Sequence, residues 1–336
     1  SEYLIINNDE VIDRNFFFSY AIEKESSDSY SNLKNKTIIT FNNVFKRFID
    51  SLNNRTIVVP LSGGFDSRLI AIMLKKYNYK NVVCYTYGRK DSFEIENSQK
   101  TAKTLNFEWH FIEYKDDLIS DFLITDEFKD YAHFAGKLSS MPNLQEYFAV
   151  KHLKKHKLIS NDAIFVPGYA GDLLGGSQFL KVIPENLKQE QIADLVIRKK
   201  FSNYPLSKTE KKTIKNQVEQ NLFHFDENYV KKIPSSVFED YDIKEKISKY
   251  IFNSANFYTF FGYEHRFPFW DKELLDLFKK VPVKYKNMKM LFNTVLINEY
   301  FKPNTVYFEN ELQPSEKSKH TQKIKDQIKP FLPTFV

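Results

Sequence analysis

Apolar residues in the first half of the chain follow two different spacings, and their alternation predicts strands and helices in turn. Four short β-branched or apolar runs predict buried strands over residues 57–59, 81–88, 108–113 and 163–166. Apolar residues at helical spacing predict helices over residues 42–52, 67–74, 92–105 and 143–155. Strands that alternate with helices in this order indicate an α/β fold built on a parallel, doubly wound sheet.

The rest of the chain lies on either side of these elements. From about residue 181 the pattern becomes mostly helical and charged, and it predicts further helices over 272–280 and 291–300. At the other end, apolar runs on both sides of Asn7-Asn8-Asp9 predict a hairpin. We therefore expect an N-terminal extension over residues 1–41 and one domain over residues 42–336, helical from about residue 181.

The composition excludes several classes of protein. The chain has 336 residues, 42% of them hydrophobic, and its formal net charge is +6. The lysines are spread among nearly as many acidic residues, which is typical of a solvated surface and not of a nucleic-acid-binding face. The only cysteine, Cys84, excludes an intrachain disulfide and a multi-cysteine metal site. No apolar run reaches membrane-spanning length and the first residues lack signal-peptide features, so we expect a cytoplasmic protein without membrane or nucleic-acid partners.

The turn after the first predicted central strand, Ser62-Gly-Gly-Phe-Asp-Ser67, has the most informative chemistry. Its glycines let a ligand approach the backbone, and the helix that follows begins with free N–H groups that attract a phosphate. Ser62 and Ser67 add hydroxyl groups, and Asp66 supplies the oxygen ligands that magnesium prefers. No Gly-Lys-Ser/Thr follows, so the turn is not a Walker loop. The alternative is an ordinary strand-to-helix turn with a serine cap, but the six residues together favour a phosphate site.

A second glycine-rich segment follows the strand predicted over 163–166. The chain has only nine glycines, and six of them lie in the Ser62–Ser67 turn or in Gly168-Tyr-Ala-Gly-Asp-Leu-Leu-Gly-Gly176. This clustering indicates two turns with special backbone requirements. Because both turns follow the carboxyl end of a predicted parallel strand, we expect them to form one ligand site at that edge of the sheet.

Three segments together resemble one family of enzymes. They are Ser62–Ser67, Gly168–Gly176 and Glu264-His-Arg-Phe-Pro-Phe-Trp-Asp271, the last followed by Lys289. In order and spacing they are similar to the synthetase domain of asparagine synthetases and their relatives, including β-lactam synthetases and lasso-peptide cyclases. The resemblance covers about residues 42–301 and implies the PP-loop type of adenine-nucleotide alpha-hydrolase fold. It also implies an ATP-dependent amide ligase, in which a carboxylate attacks the α-phosphate, pyrophosphate leaves, and ammonia or an amine displaces AMP.

The resemblance further implies the parts of a site for ATP and Mg²⁺. The residues that would line the nucleotide are Leu61, Tyr87, Gly88, Pro167 and Gly168, and those that would grip the pyrophosphate are Ser62, Gly63, Gly64 and Ser67. Asp66 and Asp172 would hold magnesium on the pyrophosphate, and Lys289 would neutralise charge on the phosphates during adenylation. Asp172, Lys289 and Tyr169 are thus the candidate catalytic residues.

Tyr169 departs from the pattern of the asparagine synthetases, which carry at this position a glutamate that assists amination. A phenol with the ordinary pKa near 10 is mostly a hydrogen-bond donor at neutral pH and a poor base. Tyr169 therefore either packs against the substrate, which we favour, or accepts a proton after its pKa has been lowered.

Other assignments also leave alternatives open. Lys284 or Lys286 could replace Lys289 as the functional lysine, and Asp172 could instead cap its own turn. Arg68, just after the Ser62–Ser67 turn, is either an exposed helix residue or a contact to a substrate carboxylate.

The substrate and the nitrogen donor are open as well. Residue 1 is serine and not the cysteine that begins the family's glutaminase domain, so we expect ammonia, an amine or a separate glutaminase subunit to supply nitrogen. The carboxylate would be aspartate, a sugar uronic acid or a peptide. A tRNA-modifying PP-loop enzyme fits less well, because neither a basic RNA-binding surface nor a cysteine pair is visible. A non-catalytic nucleotide-binding relative is a further alternative, which the change at Tyr169 favours and the presence of Asp66, Asp172 and Lys289 opposes.

Overall fold

A computed structural model describes residues 2–90, 92–115, 118, 121–136, 140–179, 189–201, 205–223 and 233–308. The predicted start of the helical part near 181 and the tail from Asn310 lie outside these ranges. None of the helices found in these ranges is long and apolar enough to cross a membrane.

The strands are β1 (Glu2–Asn7), β2 (Glu10–Phe16), β3 (Ile57–Pro60), β4 (Val82–Gly88), β5 (Glu108–Glu113), β6 (Ile164–Phe165) and β7 (Glu264–His265). The α-helices are α1 (Tyr30–Asp50), α2 (Phe65–Lys76), α3 (Phe93–Leu105), α4 (Asp126–Gly136), α5 (Tyr147–Lys155), α6 (Gly171–Gly175), α7 (Gln189–Lys200), α8 (Lys208–Phe223), α9 (Pro234–Tyr241), α10 (Phe252–Ser254), α11 (Asn256–Phe260), α12 (Lys272–Lys279), α13 (Val283–Lys286) and α14 (Met290–Val295). Short 3₁₀ turns lie at Phe122–Ile124, Ser177–Phe179, Pro268–Trp270 and Asn287–Lys289, and π-helical stretches at Asp242–Ile251 and Leu296–Phe301.

Five parallel strands form the central sheet in the order β5-β4-β3-β6-β7. Strand β3 pairs with β4 on one side, where Ile57 is opposite Val82, and with β6 on the other, where Ile57 is opposite Ile164. The chain leaves β3 in one direction through α2, β4, α3 and β5, and then returns past β3 to form β6. This reversal confirms the predicted doubly wound α/β fold, and it creates a switch point between β3 and β6 where such sheets bind ligands.

Side chains of the central strands alternate between two hydrophobic cores, because successive residues of a strand point to opposite faces of the sheet. On one face, Ile57, Val59 and Cys84 pack with helices α1, α2, α12 and α14. On the other face, Val58 and Tyr85 pack with helices α4, α5 and α11. Burial raises the pKa of the Cys84 thiol to about 12, so this cysteine is an inert core residue at neutral pH.

Helices dominate the described residues after 189, as the sequence predicts. Helices α7, α8 and α9 form a third apolar cluster around Phe179, Val196 and Phe238. The N-terminal segment is attached to this part, because the N–H groups of Tyr20 and Ile22 donate to the side chains of Asp240 and Ser236, each at 2.7 Å.

Helix α1 is longer than predicted. It begins at Tyr30 and not near residue 42, and Ser29 caps it by accepting a hydrogen bond from the N–H of Asn32 at 3.2 Å. Its first half was missed because polar Thr37 and Thr40 occupy buried positions there, which obscures the helical spacing of apolar residues. The proposed boundary after residue 41 thus falls inside one continuous helix.

The N-terminal hairpin was predicted from the sequence, whereas the short strand β7 was not. The N-terminal hairpin is confirmed, with β1 and β2 antiparallel and Asn8 and Asp9 in the left-handed backbone region between them. Strand β7 was not predicted, because two residues are too few to produce a periodic pattern. It pairs in parallel with β6, where Glu264 is opposite Ile164.

Candidate functional site

The loop after β3 folds onto itself through its two serines. The N–H of Ser62 donates to Ser67 Oγ at 3.1 Å, and the N–H of Gly64 donates to Ser62 Oγ at 3.2 Å. Gly64 immediately precedes α2, so the loop ends at the positive end of a 12-residue helix. Hydroxyl groups and free helix N–H groups therefore lie together at the carboxyl end of β3, which is the arrangement that binds a phosphate.

Arg68 occupies neither of the two positions that the sequence suggested. Its side chain is completely buried, and its guanidinium donates to the backbone oxygens of Gly63 and of Val306, the latter at 3.1 Å. The guanidinium also lies 4.9 Å from the ring centre of Phe301, within cation–π range. Arg68 thus supports the loop after β3 from inside the protein and does not contact the cavity described below.

The two glycine-rich turns meet at Asp66. A Cβ atom at Gly168 would lie 2.9 Å from Asp66 Cβ, and one at Gly171 would lie 2.7 Å from both carboxylate oxygens of Asp66. A side chain at either position would displace Asp66, so the close approach of the two turns requires glycine at both.

Lys289 links these turns to the C-terminal helices. It forms an ion pair with Asp172, although the Asp172 side chain is 61% exposed. Burial raises the pKa of Asp66 to about 7, and the positive charge of Lys289 acts in the opposite direction. Burial also lowers the pKa of Lys289, which the charge of Asp66 offsets. One lysine therefore faces two carboxylates, and Asp172 does not cap its turn.

The three candidate lysines have different environments. Lys289 has a left-handed backbone conformation (φ 57°) just before α14 and faces the cavity. Lys286 is 3% exposed and pairs with Glu239 at 2.6 Å. Lys284 is exposed, with its ammonium 4.9 Å from the ring centre of Tyr285. Of the three, Lys289 alone lines the cavity.

A cavity of about 590 Å³ opens at the carboxyl ends of the central strands. Its lining includes most of the residues predicted for the site, namely Leu61, Ser62, Gly64, Asp66, Ser67, Tyr87, Pro167, Gly168, Tyr169, Asp172 and Lys289. Gly63 and Gly88 do not line it. The carbonyl of Gly63 accepts from Arg68, and that of Gly88 accepts from the N–H of Tyr114 at 2.9 Å.

Tyr169 lines the cavity and stacks on Phe267, with the ring centres 5.7 Å apart and the planes at 14°. Burial, and then the negative charge of Glu146, raise the pKa of Tyr169 above its ordinary value. The nearby side chain of Ser254 acts to lower the pKa of its phenol. A phenol with a raised pKa loses its proton less readily, so this environment favours packing over proton acceptance.

Glu146 is a residue of the cavity that the sequence did not indicate. It lies just before α5, is 4% exposed and lines the cavity. Its Oε1 accepts hydrogen bonds from the hydroxyls of Tyr85 and Tyr258, the second at 2.6 Å. Burial raises the pKa of Glu146 to about 7, although these two hydrogen bonds lower it. Only the packing of α5 against the sheet brings this carboxylate to the cavity, so no local pattern in the sequence marks it.

The carboxylates near the glycine-rich turns fit a magnesium ion that binds together with a nucleotide. Magnesium usually keeps several waters and takes one or two protein carboxylates along with phosphate oxygens. Asp66 and Asp172 offer two carboxylates in one cavity, and the raised pKa of Asp66 marks a buried charge that a cation would stabilise. Within the described ranges, no group of three or more His, Cys, Asp or Glu side chains is arranged to hold a metal by itself.

Comparisons with known proteins give one extensive match and several partial ones. The sequence profile of asparagine synthase matches residues 51–296. The 7-cyano-7-deazaguanine synthase of Sulfurihydrogenibium sp. (strain YO3AOP1) is 38% identical over 63 residues, which are 18% of this chain and only 28% of that relative. The solved NH3-dependent NAD synthetase from Campylobacter jejuni subsp. jejuni NCTC 11168 has 17% identity and a TM-score of 0.28, over 58% of this chain and 96% of that one. The NMN synthetase from Francisella tularensis has 15% identity and a TM-score of 0.29, over 69% and 94% of the two chains.

The asparagine synthase match covers most of the chain, including both glycine-rich turns, Glu146, Tyr169 and Lys289. It agrees with the parallel sheet, the switch point and the meeting of the two turns at Asp66. The chain therefore belongs to the asparagine synthase family, and it is an ATP-using synthetase of the PP-loop superfamily.

Proposed function

We propose that this protein is an AMP-forming amide ligase. An oxygen of the substrate carboxylate attacks the α-phosphorus of ATP, the bond from phosphorus to the bridging oxygen breaks, and pyrophosphate leaves. The nitrogen of ammonia or an amine then attacks the acyl carbon, the bond to the AMP oxygen breaks, and the nitrogen loses a proton. The observation that carries this proposal is the meeting of Asp66, Asp172 and Lys289 in one cavity at the switch point.

Each group in this cavity has a task in the proposed reaction. The first N–H groups of α2 and the hydroxyls of Ser62 and Ser67 bind the phosphates that will leave. Lys289 exchanges its ion pair with Asp172 for phosphate oxygens, and so stabilises the charge that grows as pyrophosphate departs. Magnesium, when bound, would supply further positive charge on the pyrophosphate, and Asp66 and Asp172 would hold it.

The remaining lining residues hold the other parts of the substrates. Leu61, Tyr87 and Pro167 provide apolar surface for the nucleotide, while the backbone of Gly168 allows its close approach. Tyr169 packs against the acyl group. The acid is aspartate, a sugar uronic acid or a peptide carboxylate, and the nitrogen comes from ammonia, an amine or a separate glutaminase subunit.

Exchange of labelled pyrophosphate into ATP tests this proposal, because exchange requires a reversible adenylation. With ATP and magnesium, we expect exchange that depends on one class of acid among aspartate, uronic acids and peptides. Lys289→Met should lower the exchange rate by about 10²–10³-fold, because the departing pyrophosphate loses the positive charge that stabilises it. Lys284→Met, which removes an exposed lysine of the same segment, should leave the rate unchanged.

Two results would count against the proposed reaction or its lysine. ATP binding without exchange for any acid would favour a non-catalytic nucleotide-binding protein. Wild-type exchange in Lys289→Met would exclude Lys289 from the phosphate site.

Substitution of Tyr169 distinguishes packing from proton transfer in the second half-reaction. Tyr169→Phe keeps the ring on Phe267 and loses only the hydroxyl group near Ser254. A net loss of about 1 kcal/mol should lower amide formation less than about 10-fold and leave exchange intact. Tyr169→Ala should mainly raise the KM for the acid, because the packing surface is lost. Intact exchange combined with a 10²-fold or larger loss of amide formation in Tyr169→Phe would instead identify the phenol as a proton-transfer group.

A further inference from the structure

The cavity contains one buried carboxylate, that of Glu146, for which the adenylation chemistry has no use. Both tyrosine hydroxyls that bond to Glu146 use the same oxygen, Oε1. Among the residues that the structure describes, no donor bonds to Oε2. Because the side chain is 4% exposed and lines the cavity, Oε2 is an acceptor that a ligand in the cavity can use.

No protein cation in the described part of the chain accompanies this carboxylate. Lys289 is the only lysine or arginine among the described residues that line the cavity, and it pairs with Asp172. The pKa of Glu146 is raised by burial and lowered by the two tyrosines alone, so no neighbouring cation contributes. A buried carboxylate is costly unless a cation accompanies it, so Glu146 is either protonated or paired with a charge that a ligand brings.

We propose that Glu146 and its neighbouring tyrosines bind a primary ammonium group of the substrate. An ammonium has three donors, one of which Oε2 of Glu146 can accept. Tyr87 and Tyr169 line the same cavity, and both lie close enough to Glu146 for its charge to raise the pKa of their phenols. Their rings add the electron-rich faces that attract organic cations.

The geometry favours an ammonium over other cations. A guanidinium binds a carboxylate best through two parallel hydrogen bonds, but Oε1 of Glu146 already accepts from Tyr85 and Tyr258. A magnesium ion needs about six oxygen ligands, and a single free carboxylate oxygen does not supply them. The ammonium could belong to the carboxylate substrate or to the amine that attacks it, and its role as a substrate group rests on the proposed amide ligation. The binding of an ammonium group at Glu146 does not depend on the proposed amide ligation.

Binding of n-butylammonium and of 1-butanol, two probes of equal length, tests the subsite directly. By ligand-detected NMR or calorimetry at pH 8, the wild-type protein should bind the ammonium at least about 10-fold more tightly, the ratio that 1.4 kcal/mol produces. Glu146→Gln should bring this ratio close to one. Glu94→Gln removes the same charge from another lining residue of the cavity and should keep the ratio. Glu146→Asp keeps the negative charge but moves it away from the ligand by one methylene group, so it should give an intermediate ratio. This variant replaces Glu146→Gln in the test if Glu146→Gln does not fold.

The exchange assay then separates the two sources of the ammonium. If the acid carries it, the acid that supports exchange should have at least about a 10-fold lower KM than its analogue without the ammonium, such as aspartate compared with succinate, and Glu146→Gln should remove this preference. If the nucleophile carries it, exchange should show no preference, and Glu146→Gln should raise the KM for n-butylammonium in amide formation.

Three outcomes would overturn the proposal. The first is equal binding of n-butylammonium and 1-butanol to the wild-type protein, and the second is an unchanged ratio in both Glu146 variants. The third is loss of n-butylammonium binding at saturating ATP together with 10-fold weaker ATP binding by Glu146→Gln, which would identify Glu146 as a contact of the adenine amino group. A Glu146-dependent ammonium preference without exchange for any acid would refute the proposed function and leave the subsite standing.

Discussion

Asp66→Asn is expected to abolish carboxylate-dependent pyrophosphate exchange, with a loss of at least about 10³-fold. Asp66 is the residue around which the two glycine-rich turns meet, and Lys289 partly offsets the cost of burying its charge. The asparagine amide has nearly the same size as the carboxylate, so the contacts with Gly168 and Gly171 are kept. What the variant loses is the negative charge that the proposed magnesium site requires.

The control for this substitution is Asp162→Asn. Asp162 is an exposed carboxylate that precedes β6, so it lies at the opposite end of the strand from the cavity. We expect wild-type exchange in this variant. Exchange in Asp66→Asn within about 10-fold of wild type would remove Asp66 from the proposed site.

Magnesium binding should also depend on pH through Asp66. The free carboxyl has a pKa of about 7, so protons compete with the metal below this pH and do so less above it. The magnesium concentration for half-maximal binding, measured by calorimetry with a nucleotide present, should therefore rise as the pH falls from 8 to 6. In Asp66→Asn this contribution to the pH dependence should disappear.

The inner strands β3 and β4 could be predicted because most of their residues are buried. Residues 57–60 and 82–88 form strands almost where the apolar runs predicted them, since a parallel strand between two layers of helices is mostly apolar. Residues 108–113 form the predicted strand at the edge of the sheet, where burial is only partial. Helix α1 was predicted to begin twelve residues too late, because threonines occupy part of its buried face. Strand β7 is only two residues long, and its pairing with β6 depends on residues about 100 positions apart, a relation that local spacing does not contain.

The backbone itself carries the signal for the two turns of the proposed site. Turns at the carboxyl ends of β3 and β6 need glycine for their close approach, and this need is visible in a chain with only nine glycines. Most of the predicted residues do line one cavity, while their chemical roles stay predictions until exchange is measured.

Residues that depend on the packing of distant elements could not be found in the same way. Arg68 is adjacent to the phosphate loop in sequence, yet its side chain points into the core. There its guanidinium donates to the carbonyl of Val306 and lies over the ring of Phe301. Glu146 stands at the start of a predicted helix, and only the tyrosines of β4 and α11 make it a buried acid of the cavity. In both cases the sequence identifies a charged residue, and its tertiary neighbours determine whether its side chain supports the core or lines the cavity.

Lys286 is an alternative to Lys289 that the sequence allowed, and its tertiary neighbours indicate a role in stability. The structure pairs Lys286 with Glu239 at 2.6 Å, with both side chains 3% exposed, and Glu239 also accepts from Gln178. Burial raises the pKa of Glu239, and the positive charge of Lys286 opposes this shift. Lys286 therefore compensates a buried carboxylate, although it lies only three residues before Lys289 in the chain.

Lys286→Met should lower the free energy of unfolding by about 3–5 kcal/mol, because it leaves the carboxylate of Glu239 buried without its cation. The double variant Lys286→Met/Glu239→Gln removes the orphaned charge and should recover most of this loss. Lys284→Met should change stability by less than about 0.5 kcal/mol. Urea unfolding followed by circular dichroism measures all three. A single variant as stable as wild type, or a double variant as unstable as the single one, would contradict this account of the pair.

The same measurements separate a stabilising lysine from a functional one. Glu239 has a raised folded-state pKa, so protonation relieves the buried charge, and the stability deficit of Lys286→Met should shrink as the pH falls toward about 4.5, the ordinary value for glutamate. Lys289→Met, by contrast, removes a half-buried lysine whose ion-pair partner Asp172 is 61% exposed. The other carboxylate that Lys289 faces, that of Asp66, has a pKa of about 7 and can take up a proton when the lysine is lost, so this variant should lose exchange but less stability than Lys286→Met. If Lys286→Met instead kept its stability and lost exchange as completely as Lys289→Met, Lys286 would have to act on the phosphates, which its burial against Glu239 argues against.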